Sequence, residues 1–507
     1  MTDRRHRRYG LLGLIILAIL GVLLYSMSRP AQAPSTPDTT SSPATTPDAQ
    51  SAPADASQMT SLAELDDKAP VRRPLDIQAW KTKGGARVLF VEAHELPMLD
   101  VRLTFAAGSS QDGDTPGLAM MTNAMFDEGV PGKDVTAIAQ GFEGLGAQFG
   151  NGAYRDMAVL SLRSLSDPTQ REQSLALFEQ VIGQPTFPEA SLNRIRNQML
   201  ASFEQQKQDP GKLASIALFQ KLYGNHPYGH PTEGTPDSVA RIETKSLRAF
   251  YERAYTAGNA VIAVVGDLTR EQAEAIAEKV SSALPQGPAL PPLPKPTPPV
   301  GSAEHIEYPS AQTHLLMAQQ GIERGDPDQA ALTVGNQILG GGGFGARLME
   351  EVREKRGLTY GVYSGFTAMA VPGPFSISLQ TRADQSEGTQ ALVTDIVRTF
   401  LADGPTAKEV DNAKRQLAGS FPLSTASNAD ISAQLGAIGF YDLPLDYLER
   451  FMNQVQALTV EQIKDAMARH LDPDRFVVIT AGPTVEQKPL PPPTEKHAQP
   501  ASAVPEH

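Results

Sequence analysis

One pattern occurs twice in this chain, and a chain that repeats itself must build the same unit of structure twice. Residues 196–203 (RNQMLASF) align with residues 414–421 (KRQLAGSF), an offset of about 218 residues. Residues 159–162 (VLSL) align with residues 376–379 (SISL) at nearly the same offset. Each copy also ends on a β-rich run and a turn, residues 260–266 (AVIAVVG) and 475–482 (RFVVITAG). Three matches in one order point to two homologous bodies. Residues 87–91 and 101–106 show the β-branched and aromatic enrichment of strands, whereas 188–206 and 389–401 carry apolar residues at helical spacing. Residues 246–255 and 460–470 read as the matching final helices. Strands and helices mixed without strict alternation predict an α+β fold: two homologous α/β sandwich halves, helices packed on largely antiparallel sheets.

Composition bounds what such halves can do. The chain has 507 residues, enough for two cores, and its net charge of -13 argues against a nucleic-acid partner, which needs a basic surface to neutralise phosphates. It contains no cysteine, which excludes a disulfide framework, a thiol nucleophile and thiolate-held metal. Arg4, Arg5, Arg7 and Arg8 precede an uncharged run, residues 10–27, about long enough to cross a bilayer. Residues 1–29 therefore read as a basic cytoplasmic stub and signal anchor, with the rest of the chain on the far side. The alternative is a signal peptide cleaved after Ala31-Gln32-Ala33. Residues 30–74, rich in Pro, Ala, Ser and Thr, read as a disordered tether. The two halves fall at 75–285 and 303–486, separated by a proline-rich linker at 286–302, and residues 487–507 read as a disordered tail.

Several short motifs occur in a fixed order between about residues 76 and 483. In the first half they are Ala106-Ala107-Gly108-Ser109, then Gly117-Leu118-Ala119 opening a helix, then His226-Pro227-Tyr228-Gly229 with Gly234-Thr235. In the second they are residues 339–348 (LGGGGFGARL), residues 351–357 (EVREKRG), and Tyr360 with Val362-Tyr363-Ser364. The ordered set resembles the pitrilysin, or insulinase-like, family of zinc peptidases, whose short members include the processing peptidases. Active members carry the inverted zinc motif HxxEH on the first of these helices, two His ligands on one helical face and a Glu as general base. The matching positions here, within residues 117–129 (GLAMMTNAMFDEG), are Met120, Asn123 and Ala124. A thioether, a neutral amide and a methyl group are not zinc donors. The family's third ligand, a Glu on a later helix, falls near Ala201 and Ser202. The resemblance thus implies a degenerate zinc site, with no metal or other cofactor held by this chain.

The second half matches better. The family places an Arg and a Tyr seven residues apart in its C-terminal half, reaching across to a zinc site; Arg353 and Tyr360 have that spacing. The resemblance implies that Tyr360 donates to the scissile carbonyl and the oxyanion formed there, while Arg353 fixes the peptide backbone. It also implies a peptide lying as an added strand, near Gly341, Gly342, Gly343, Phe344, Ala107 and Gly108. The partner implied is a homologous subunit with an intact HxxEH motif and its own zinc, so that this chain acts in trans at the outer face of a bacterial inner membrane. The alternative is a degenerate homologue that binds peptides or builds a complex without catalysis. Residues 340–345 lack the Lys and Ser/Thr of a phosphate loop. Pro227 and Pro231 keep His226 and His230 off a regular helix, which leaves them in a structural loop rather than a metal pair.

Overall fold

The computed structural model describes residues 75–494. The stub, anchor and tether read from residues 1–74 lie outside the described residues, as does the tail beyond 494. Among the described residues no helix is long and apolar enough to cross a membrane.

The first half contains β1 (Gln78–Lys81), β2 (Arg87–Glu92), β3 (Met98–Phe105), β4 (Gln148–Ala153), β5 (Ala158–Leu165) and β6 (Ala260–Gly266), in the sheet order β1-β2-β6-β3-β5-β4. The second contains β7 (Ser302–Glu307), β8 (Gln312–Gln320), β9 (Val362–Phe366), β10 (Pro374–Arg382) and β11 (Val477–Gly482), in the order β9-β10-β8-β11-β7. Apart from the extra edge strand β1, the two orders are the same. VLSL lies on β5 and SISL on its counterpart β10, so the sequence repeat is a repeat of architecture. Both sheets are largely antiparallel but mixed: β2 pairs parallel with β6 and β7 parallel with β11, while every other pairing within the two sheets is antiparallel. In each half the parallel pair joins an opening strand to the closing one. The whole intervening half serves as the long crossover that a parallel pair requires.

The helices that position the site are α1 (Leu118–Ala124), α2 (Glu189–Gln206), α3 (Pro210–Tyr223), α4 (Thr244–Ala254), α5 (Ser386–Asp403), α6 (Ala407–Ser420), α7 (Asn428–Phe440) and α8 (Val460–His470). RNQMLASF and KRQLAGSF occupy α2 and the α6 end, and α3 and α7 follow them at the same offset. These last two helices are exchanged between the halves. Helix α3 packs on β8 and β11 of the second sheet, and α7 packs on β2, β3 and β6 of the first. Ala214, Leu218 and Leu222 recur every four residues and bury one face of α3 against Ala318, Val477 and Ile479. Leu435 and Ile438 of α7 meet Leu89, Val261 and Ala263.

This exchange explains why AVIAVVG reads as an unbroken apolar run. Every residue of β6 is buried, because its own core covers one face and α7 the other. Each fully buried aliphatic side chain contributes about 1.5–3 kcal/mol, so Leu218, Leu222, Leu435 and Ile438 alone hold the halves together strongly. Close approach also needs glycine. A Cβ on Gly439 would lie 2.3 Å from Val261 Cγ1 and 3.0 Å from Leu89 Cδ1. Gly439→Ala is therefore expected to lower stability by about 1–3 kcal/mol, read as an earlier urea midpoint, although alanine is the better helix former.

A buried polar contact also crosses the seam. Asp156 accepts hydrogen bonds from the Tyr228 hydroxyl, from the Ala370 amide at 2.8 Å and from the Tyr441 hydroxyl at 3.2 Å. Burial pushes the Asp156 carboxyl above its usual range and both phenols upward as well.

Two segments read from composition as linker and tail touch the body. Leu290 packs against the first core and Leu293 against the cluster under α3. Beyond residue 486, the Lys488 amide donates to Asp384 O at 2.7 Å and the Thr494 amide to Lys355 O at 2.7 Å, while Leu490 packs on the second core.

Candidate functional site

Helix α1 begins at Gly117, whose φ of 92° and a Cβ position 2.7 Å from Glu233 O both require glycine. Its first turn is held by the Asp112 carboxylate, which accepts from Gly117 N at 2.8 Å and Ala119 N at 2.7 Å. Desolvation outweighs these donors and pushes Asp112 up to about 7. Along the helix, Met121 and Asn123 are buried, and Met120 and Ala124 half-buried. Asn123, at the position of the general base, donates through its side-chain amide to Val159 O at 3.2 Å and to the Tyr255 hydroxyl at 3.3 Å, and its backbone carbonyl accepts from the Asn151 side chain at 3.0 Å. Its side-chain amide is spent on joining α1 to β5 and the end of α4.

Ala201 and Ser202 are exposed on α2. These residues do not fit a zinc ion. The one cluster of three potential metal ligands among the described residues, Asp326, Asp328 and His470, belongs to the second half. There the Asp328 carboxylate already accepts from Arg469 at 2.8 Å and from His470 at 3.0 Å. His226 and His230 flank a single turn: His226 Nε2 meets Pro294 O at 2.9 Å, His230 Nδ1 meets Pro231 O at 3.1 Å, and burial lowers both pKa values.

Ala107 and Gly108 are buried, and a Cβ on Gly108 would fall 2.5 Å from backbone atoms of residues 155–157. The approach this glycine permits is thus to the chain's own backbone. The glycine loop is similar in part. Residues Gln337–Gly341 form a wide helical turn, and Cβ atoms on Gly341 and Gly342 would lie 2.6 Å from Asn336 Nδ2 and 2.4 Å from Gln337 O. The loop doubles back on its own helix, a geometry frequent at functional sites. Gly343, at φ 66°, then turns Phe344 outward, where it is 68% exposed.

Arg353, on the turn Met349–Glu354, places its guanidinium between two rings, 4.6 Å from the centre of Phe344 and 5.2 Å from that of Tyr360. Its neighbours Lys355 and Arg356 are both paired with Glu351, at 2.6 and 2.8 Å. Arg353 has no carboxylate partner among the described residues. Tyr360 is 90% exposed, and its hydroxyl has no hydrogen-bond partner among them. The structure therefore brings together Arg353, Tyr360 and Phe344 on one open surface. Among the described residues, no hydrogen bond, ion pair or ring contact joins this group to α1.

Sequence reasoning missed the brace beneath that loop. Arg347 makes a two-pronged ion pair with Glu409, at 2.7 and 2.8 Å, and donates to Gly404 O at 3.0 Å. Glu409 also completes the capping box of α6 with Thr406, the only part of this arrangement with a sequence signal. Chiefly through Arg347, its carboxyl is held down at about 2. Because that value lies below the ordinary 4.5, the pair's contribution is complete above about pH 4.5 and fades as pH falls toward 2. Glu409→Gln is expected to cost about 2 kcal/mol near neutrality, with the gap in denaturation midpoint from the unaltered protein narrowing at about pH 3.

Comparison with known proteins fits this geometry. Residues 87–236 match the family described as Insulinase (Peptidase family M16), and residues 241–417 match the one described as Peptidase M16 inactive domain. This chain belongs to the M16, or insulinase, family. The crystal structure of a peptidase M16 inactive domain from Pseudomonas fluorescens is 64% identical, with a TM-score of 0.81 over 82% of this chain and all of that one. A Helicobacter pylori protein named "Non-peptidase homolog YmxG" is 29% identical over 76% of this chain and 89% of its own length. The "Uncharacterized zinc protease YmxG" of Bacillus subtilis is 25% identical over 80% of this chain and 98% of its own. Relatives of this M16 protein thus carry both kinds of name.

Proposed function

We propose that this chain is the zinc-free subunit of a two-chain M16 peptidase, supplying Arg353 and Tyr360 in trans to a homologous HxxEH subunit. The observation that carries the reading is the contrast between the two halves. Around α1 the motif positions are filled by Met120, Asn123 and Ala124, with Asn123 tied into the core. In the second half an uncompensated guanidinium and a free phenol hydroxyl stand on the surface beside the glycine loop. A free hydroxyl donor has the chemistry to meet an oxyanion, and a guanidinium to hold a peptide carbonyl or carboxylate. Neither generates a nucleophile from water, which the metal of the partner subunit would do.

The chain's own residues then divide the task. Phe344 and Tyr360 flank Arg353 and limit its rotamers, the glycine loop presents Phe344, and the Arg347–Glu409 pair anchors that loop to α6. The peptide would lie along the exposed edge strand β4 or β9 as one more strand. The Arg4–Arg8 cluster and the apolar run after it support a tether to the inner membrane, with the body in the periplasm. Zinc would reside in the partner.

A second reading, a homologue that binds peptide or builds a complex without catalysis, is favoured by the name of the Helicobacter relative. Co-expression with an HxxEH-bearing M16 chain tests between them. Zinc-dependent peptide cleavage by the co-purified pair, absent from either chain alone, supports the catalytic reading. Stable co-purification without cleavage supports the other.

A further inference from the structure

The seam between the halves carries an open-sided cavity of about 470 Å³ that neither Arg353 nor Tyr360 lines. Its volume falls within the range of small-molecule sites, about 300–1,000 Å³. One wall is the segment 290–293, where Pro291 and Pro292 have no N–H to offer and the side chains present apolar surface. The opposite wall carries charge. Arg87 is satisfied there, bonded to Asp442 at 2.5 Å and to Gly439 O at 3.3 Å. Asp442 holds that position at φ 51°, a conformation uncommon outside glycine.

Arg324 is not satisfied. Its Nε is buried with no hydrogen-bond partner, and its guanidinium has no carboxylate among the described residues, only the Tyr441 ring at 5.4 Å. Lys81 lines the same cavity and also has no described partner. The cavity's buried acid, Asp156, bonds to Tyr228, Tyr441 and the Ala370 amide and forms no ion pair with either cation among the described residues. A guanidinium fork with no carboxylate beside it is matched best by a planar oxyanion.

We propose that this cavity binds a small ligand ending in a carboxylate, its charged end on Arg324 with Lys81 nearby and its apolar body against residues 290–293. The source is either a free carboxylic acid or the C-terminus of a short peptide. Every lining residue belongs to this chain and neither Arg353 nor Tyr360 is among them, so the purified chain serves to test it.

Titration calorimetry with 3-phenylpropionate, with a Phe-ended tripeptide and with the same tripeptide amidated separates the cases. The expected result is binding of at least one free acid, with the amide weaker by about tenfold or more. Arg324→Gln should weaken the acid by about tenfold and Lys81→Gln by about two- to threefold. Binding of 3-phenylpropionate alone identifies a free acid, and binding of the tripeptide identifies a peptide end. The amide comparison and Lys81→Gln, at an exposed position, keep the test intact if Arg324→Gln fails to fold. Equal binding of acid and amide, or no binding of either acid at millimolar concentration, overturns the proposal.

Discussion

In a complex reconstituted with an HxxEH-bearing relative, Tyr360→Phe lowers kcat by about 10²- to 10³-fold, the loss expected when one donor to a developing oxyanion is removed. The substitution deletes one oxygen from a side chain that is 90% exposed and makes no described hydrogen bond, so stability should not change. A fall in kcat with an unaltered denaturation midpoint therefore reports chemistry rather than folding. Arg353 should behave differently. Arg353→Ala removes the cation held between Phe344 and Tyr360, and the expected result is a rise in KM with a smaller fall in kcat. Arg353→Lys should recover little, because an ammonium lacks the planar face that stacks between two rings. If both variants cleave peptide as fast as the unaltered pair, the exposed Arg and Tyr are bystanders.

The largest stability effect is expected at the seam. Asp156→Ala strands the buried Tyr228 hydroxyl, the half-buried Tyr441 hydroxyl and the Ala370 amide at once, and should lower stability by about 3 kcal/mol, measured by urea denaturation. The buried carboxyl is itself costly to ionise, as its raised pKa shows, so the loss comes mainly from those stranded partners. Tyr441→Phe removes one partner and leaves the other bonds in place; about 1 kcal/mol is expected. Because Asp156 and Tyr228 belong to the first half and Ala370 and Tyr441 to the second, the two halves should unfold in one transition in the unaltered protein. A second transition appearing in Asp156→Ala would show that this contact couples them. No change in either midpoint would show that it does not.

Much of the fold was legible because its signals are local or periodic. The offset of about 218 residues placed α2 against α6 and β5 against β10, and the helical spacing of residues 460–470 matched α8 to the residue. What escaped was long-range. Nothing in the sequence of α3 or α7 says that each packs on the other half's sheet, although the unbroken apolar run of β6 demanded cover on both faces. The parallel β2/β6 and β7/β11 pairs escaped for the same reason, since strand direction is decided by partners some 170 residues apart.

At the site, the chemistry at Met120, Asn123 and Ala124 could be read from residue types alone, whereas the bonds that Asn123 makes could not. The resemblance places a peptide near Gly341 and Gly342. The structure adds what sequence does not show, that their missing Cβ atoms make room for the preceding helical turn. Asp156 carries no motif at all, because its partners Tyr228, Ala370 and Tyr441 come from three separate segments.

Metal content of the purified single chain, measured together with its hydrolysis of a test peptide, bears most directly on the division of labour between the halves. With Met120, Asn123 and Ala124 at the motif positions and Ala201 and Ser202 on α2, zinc well below one ion per chain and no hydrolysis are expected. One tightly held zinc per chain, with peptide cleavage by that chain alone, would contradict it.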